Sequence, residues 1–148
     1  LEILVNKQVQ QTTQEKQANT SSTSQTLFNL KLLAYERIIL FIERIKPDSF
    51  IPRTLSPSLP YQEYQLLLIN EIRKEFEYNL SQQLYLSENA WEVTVNFKDN
   101  IITLINSAAT SCPPQATASD LARKILEHYI SSDLKGDQIS KIVKAEIQ

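Results

Sequence analysis

Glu75, Asn79 and Gln82 recur at the i, i+4, i+7 spacing that stacks side chains one helical turn above another, in or beside an otherwise apolar stripe. A carboxylate flanked by two amides can act as an acid or base with orienting groups around a small ligand. The same residues can instead serve structure. Glu75 then pairs with Arg37 or Arg44 of the preceding helix, and the amides satisfy loop or helix-end backbone groups. A buried pair of this kind costs desolvation and need not stabilise, but it fixes the register between helices. The structural reading is preferred, and the ligand reading stands as its alternative.

Other chemistries have less to work with. The one histidine, His128, has no partner at metal-ligand spacing, and its neighbour Glu127 faces a different way, so the E-x-x-H pair of carboxylate di-iron bundles is absent. Cys112 lies between Ser111 and Pro113 in an expected loop; it is a bystander thiol unless the fold brings His128 to it. The chain contains one glycine, which removes glycine-rich phosphate loops. No catalytic residue, metal or cofactor is assigned, and the residues argue against an enzyme.

The 148 residues fit one domain that buries roughly two thirds of its unfolded surface without metals or disulfides. The single cysteine allows no internal disulfide. Scarcity of glycine also disfavours a fold rich in hairpins, whose turns need positive φ. Net charge is −2, which leaves no field to hold nucleic acid or an anionic surface. No run approaches the roughly 18 consecutive apolar residues of a membrane-spanning helix. The chain holds no methionine and begins with leucine, so a fragment or processed product of a longer protein is expected, soluble as it stands.

The expected fold is all-α, a helical bundle of about five helices, three long and two short. Residues 1–25 begin with the apolar Leu1 to Val5 and continue in Gln, Thr and Ser, a composition that suits a fraying helix or flexible stalk; residues 26–148 form a single helical domain. Helix one runs from about Thr26 to Lys46, with Leu27, Leu30, Ala34, Ile38, Phe41 and Ile45 on one seam. Pro47 to Pro60 holds four prolines and is expected to be a loop, with Phe50, Ile51 and Leu55 tucked onto the helices. One long helix from Leu59 to Ser87 follows, buried through Tyr61, Leu68, Ile69, Ile72, Phe76, Leu80 and Leu86.

Ser87 suits the N-cap of helix three, whose Val93, Phe97, Ile101, Leu104, Ile105 and Ala108 face inward until Pro113. Thr117 and Asp120 fit a capping box ahead of Leu121, Ala122, Ile125, Leu126 and Tyr129. Gly136 suits a left-handed helix C-cap, and Asp137 opens a last helix with Ile139, Ile142, Val143 and Ile147 inward. The first three helices are expected to pack antiparallel.

Helix one carries more apolar residues than one core needs. Leu33 and Leu40 sit a heptad apart on its charged side, among Glu36, Arg37, Glu43 and Arg44. Leu33, Glu36, Leu40 and Glu43 therefore make a candidate partner surface, with self-association as one outcome.

The strings Ala34-Tyr35-Glu36-Arg37 and Glu77-Tyr78-Asn79-Leu80-Ser81-Gln82-Gln83-Leu84-Tyr85, with Trp91 beyond, resemble an uncharacterised family of bacterial proteins typical of Bacteroidota. The resemblance covers about Leu30 to Ile147. It implies a membrane-spanning N-terminal segment, a polar stalk and this helical domain on the cytoplasmic side of the inner membrane, and it implies no activity, substrate or cofactor. The spanning segment has no counterpart here, so any membrane attachment is expected only through residues preceding Leu1.

Two functions follow from these readings: a non-enzymatic interaction or scaffold domain, or a small-molecule-binding or hydrolytic helical bundle using Glu75 and Asn79. A helix-turn-helix at the C-terminus is disfavoured, since Arg123, Lys124, Lys135, Lys141 and Lys144 are balanced by five acids. No nucleic-acid partner is expected.

Overall fold

A computed structural model describes the backbone of residues 2–134 and 136–147 and the side chains of residues 20–134 and 136–146. The expected burial of Ile147, the positive charge of Lys135 and the apolar side chains of Leu1 to Val5 lie outside the described residues. The described residues are all-α, with no strand. The chain divides into two compact units, Leu1–Leu33 and Ala34–Gln148. No helix among the described residues is long and apolar enough to cross a membrane.

Helix α1 is assigned from Glu2 to Ile45. In the first unit the backbone is helical where a fraying helix or linker was expected, and short-range bonds support it. Thr26 Oγ1 donates to the Ser22 carbonyl at 2.9 Å, and Gln25 Nε2 donates to Asn29 Oδ1 at 3.2 Å. Leu27, expected on the buried seam, is 55% exposed.

In the second unit, Ala34, Tyr35, Ile38, Phe41, Ile42 and Ile45 of α1 enter the core. The helix stops where Lys46 adopts an extended backbone (φ −59°, ψ 131°), the conformation that the following Pro47 imposes. The expected loop is corrected here: Pro47–Thr54 is a helix, α2, with Pro47 at its first position, where the missing N–H has no intrahelical partner to lose. It buries Phe50 and Ile51. Proline density therefore marks a helix start as well as a break.

The expected single helix from Leu59 to Ser87 is also corrected. Helix α3 spans Tyr61–Tyr78, and a 3₁₀ helix covers Leu80–Tyr85. The break has a local cause in Asn79, whose Nδ2 donates to the Glu75 carbonyl at 2.8 Å, the group its own N–H would use in an α-helix. That N–H instead bonds to the Phe76 carbonyl at 2.9 Å, tightening the chain into the 3₁₀ turn. Leu80, expected inside, is exposed, while Gln82 is buried.

Helix α4, Glu88–Thr110, begins as expected with Ser87 Oγ accepting from the Ala90 N–H at 3.0 Å. Its buried Phe97, Ile101, Leu104, Ile105 and Ala108 face α3, α5 and α6. Each such large side chain contributes roughly 1.5–3 kcal/mol on burial. Helix α5, Ala118–Ile130, opens on the capping box, the Thr117 N–H bonding Asp120 Oδ2 at 3.0 Å. That bond first, then the nearby Arg123 and Lys124, lowers the Asp120 pKa. The ends of α3 and α5 are joined by an antiparallel bridge, with Tyr61 N–H to the Ala116 carbonyl at 3.1 Å and Ala118 N–H to the Leu59 carbonyl at 2.7 Å. Gly136 does adopt a left-handed φ of 71°, but it precedes α6, Asp137–Ile147, rather than capping α5, whose C-cap is Ser131. The described residues thus hold six α-helices and one 3₁₀ helix in place of five helices.

Tyr64 shows how the core sets a pH dependence. Fully buried, with its hydroxyl 2.9 Å from Thr54 Oγ1, its phenol is raised by burial above the ordinary 10.0. A raised folded-state pKa means that the folded state holds the proton longer, so the associated stability is complete below pH 10 and lost as pH rises beyond it. Burial raises Tyr129 in the same direction. Urea unfolding between pH 8 and 11 should show stability falling at the alkaline end, and Tyr64→Phe should reduce that fall while costing about 1 kcal/mol at neutral pH. An unchanged alkaline slope in the variant would contradict this assignment.

Candidate functional site

Between α1 and α3 in the second unit lies an open groove of about 370 Å³. Arg37, Leu40 and Arg44 line it from α1; Glu71, Lys74, Glu75 and Tyr78 line it from α3. The register that places them is set by the core. Phe41 packs on Phe76 with ring centroids 6.0 Å apart, and Phe76 stacks on Trp91 of α4 at 5.4 Å. Lys98 caps the aromatic stack, its Nζ 4.2 Å from the Phe76 centroid. With Ile38, Phe41, Ile42 and Ile45 of α1 turned into the core, Leu40 and Arg44 are left on the outer side of the helix.

At the foot of the groove, Glu75 Oε1 accepts from Arg44 Nη2 at 2.8 Å and Nε at 3.2 Å, and lies 3.4 Å from Arg53 Nη1. Arg53 also donates to the Arg44 carbonyl at 2.9 Å, so one carboxylate oxygen ties α1, α2 and α3. Hydrogen bonding to Glu75 raises the Arg44 pKa. Of the two expected partners the structure selects Arg44; Arg37 is exposed and forms no ion pair among the described residues. Arg53 was missed by sequence reasoning, because it sits in the segment taken for a loop. The triad of Arg44, Glu75 and Arg53 is only partly buried, with Glu75 16% exposed.

The expected stack of Glu75, Asn79 and Gln82 does not persist as one ligand-facing column. Asn79 spends its amide on the Glu75 carbonyl, and Gln82 is carried off by the 3₁₀ turn to a buried position outside the groove lining. No Ser, Thr, Cys or His lines the groove, so the arrangement holds no side-chain nucleophile of those types beside the carboxylate. Cys112 donates to the Ala108 carbonyl at 3.7 Å and His128 is exposed, and no hydrogen bond joins them. Among the described residues no three His, Cys, Asp or Glu side chains gather as metal ligands.

The expected partner residues are all on the surface. In the first unit Leu33 is exposed. In the second, Glu36, Leu40 and Glu43 are exposed, with Glu43 held by Lys46 at 2.6 Å. Sequence reasoning missed Tyr78 and Lys74, which join Leu40 at the groove although they belong to another helix.

The clamp predicts a pattern of stabilities. Arg44→Leu should cost about 1 kcal/mol, because Arg53 still faces Glu75, whereas Arg44→Leu with Arg53→Leu should cost about 3 kcal/mol by stranding the carboxylate. Glu75→Gln should be nearly neutral in the native background and should restore part of the loss in the double variant. Urea denaturation of the four proteins measures this, and additive effects with no rescue would contradict the clamp.

No curated protein and no solved structure matches the chain. The Family of unknown function (DUF7935) matches it over residues 1–148, and the chain belongs to that family.

Proposed function

We propose that the chain is a non-enzymatic interaction or scaffold domain that docks a protein along the groove between α1 and α3. One observation carries the reading: Leu40 and Tyr78, 58% and 77% exposed, share a groove with Arg37 and Lys74, which form no ion pair among the described residues. Large apolar side chains left in water beside uncommitted cations suit the apolar centre and polar rim of a protein contact. The clamp on Glu75 holds the two walls in register, so the surface is preformed.

The finer parts of the reading are proposals of the same kind. Residues 1–25 serve as a polar stalk and residues 26–148 as a helical bundle. The sequence resemblance supports a bacterial protein held at the cytoplasmic face of the inner membrane by a segment outside this chain. Attachment would raise the local concentration and let a weak contact count.

A second reading rests on Glu75 Oε2, which is buried and accepts no hydrogen bond from the protein. A small ligand bearing a donor would satisfy it. The two readings separate by site-specific photocrosslinking of the full-length protein in its host. Benzoylphenylalanine in place of Tyr78 should give a discrete protein adduct, and the same group in place of the equally exposed Ile130 should not. No adduct at Tyr78 beyond that at Ile130 would overturn the docking reading.

A further inference from the structure

On α1, the residues flanking Leu40 are sorted by charge. At about 100° per residue, Arg37 and Arg44 lie roughly 60° and 40° to one side of Leu40, and Glu36 and Glu43 roughly 40° and 60° to the other. Leu40 is thus an exposed ridge between a basic edge and an acidic edge. The basic edge borders the groove, and Lys74 adds a further cation on the opposite wall. The acidic edge faces away from it. Arg44 and Glu75 neutralise each other, so the groove's uncommitted charges are the cations Arg37 and Lys74 and the single anion Glu71.

An incoming surface that fits this groove carries an apolar ridge with carboxylates along one side. The molecule owns such a surface in Glu36, Leu40 and Glu43. Glu36 forms no ion pair among the described residues, and Glu43 commits one oxygen, Oε1, to Lys46. The orientation then follows from symmetry. If two α1 helices met face to face and antiparallel, like edges would meet: Arg37 would face Arg44 of the second copy, and Glu36 would face Glu43. If they met in parallel, each acidic edge would lie over the other copy's basic edge and groove, and Leu40 would meet its counterpart on the axis. Like charges opposed at a contact are unfavourable, so the charges favour the parallel arrangement.

We infer that the occupant of the groove is a second copy of this chain, with the two α1 helices parallel about a two-fold axis running along them. This names the partner in the docking reading above and rests on that reading. Each copy lays Glu36 and Glu43 along the other's groove, towards Arg37 and Lys74, while Leu40 packs on its counterpart at the axis. A contact built on one helix face and one groove falls at the small, transient end of interface sizes, and its ion pairs are exposed, so association weakens with salt.

Sedimentation of the purified chain tests the inference through a pair of charge reversals. Arg37→Glu and Glu36→Lys touch exposed residues outside the core, so both variants should keep the native circular dichroism. The native chain should show a reversible monomer–dimer equilibrium. R37E and E36K should each dimerise at least tenfold more weakly alone. An equimolar mixture of the two should regain dimer, because one edge pair is then native and the other brings two reversed charges together. Leu40→Lys should abolish dimer in either background.

Stronger dimerisation of R37E would establish the antiparallel arrangement and overturn this one, and failure of the mixture to recover would also overturn it. A native chain that stays monomeric at every concentration, while Tyr78 crosslinks to a different protein, would sink the dimer and leave the docking reading in place. Monomer without any such adduct would sink both.

Discussion

One face of α4, carrying Phe97, Ile101, Leu104, Ile105 and Ala108, is the burial on which the second unit depends. Helices α3, α5 and α6 all pack against it. The 13 residues of α5 and 11 of α6 are too few for helices that stand alone in water, so they exist because α4 offers an apolar face to cover. The polar devices at the helix ends follow from the same need. The Ser87 cap and the Thr117–Asp120 box satisfy N–H groups at the starts of α4 and α5, and Lys124 Nζ reaches the Ser111 carbonyl just past the end of α4.

That packing also decides what is left outside. Phe41, Phe76 and Trp91 form a continuous aromatic contact from α1 through α3 to α4, which fixes the rotation of α1. With Ala34, Ile38, Phe41 and Ile45 turned inward, Leu40 can only point to solvent. The exposed leucine is therefore a consequence of the core, and its flanking charges are placed by the helix period. Glu75 takes part in this order as a clamp. Two guanidinium groups on one of its oxygens pin α1, α2 and α3 together. Its geometry matches the structural reading preferred from the sequence, a carboxylate that holds the register between helices.

The sequence carried the helical class, the inward faces of α4 and α5, and the caps at Ser87 and Thr117, because each depends on spacing within one element. It carried the pairing of Glu75 with an arginine of helix one as well, since only two candidates stood on the proper side. Two breaks were not legible. Pro47 and Pro52 suggested a loop, although a proline at the first helical position is compatible with a helix that buries Phe50 and Ile51. The end of α3 turns on a single side-chain bond from Asn79 to the Glu75 carbonyl, which hydrophobic periodicity does not register. Both misses shaped the site: the first hid Arg53 and the second kept Gln82 in a column it does not occupy. Tyr78 and Lys74 escaped notice because a groove between two helices is a tertiary fact.

We propose that the groove between α1 and α3 receives a second copy of this chain. Amide chemical shifts of the isotopically labelled protein, followed as its concentration rises, test this most directly. Shifts confined to residues 36–44 of α1 and 71–78 of α3, reversed on dilution and weakened by salt, are the expected result. Spectra that do not change with concentration, or shifts centred on α5 and α6, would contradict it.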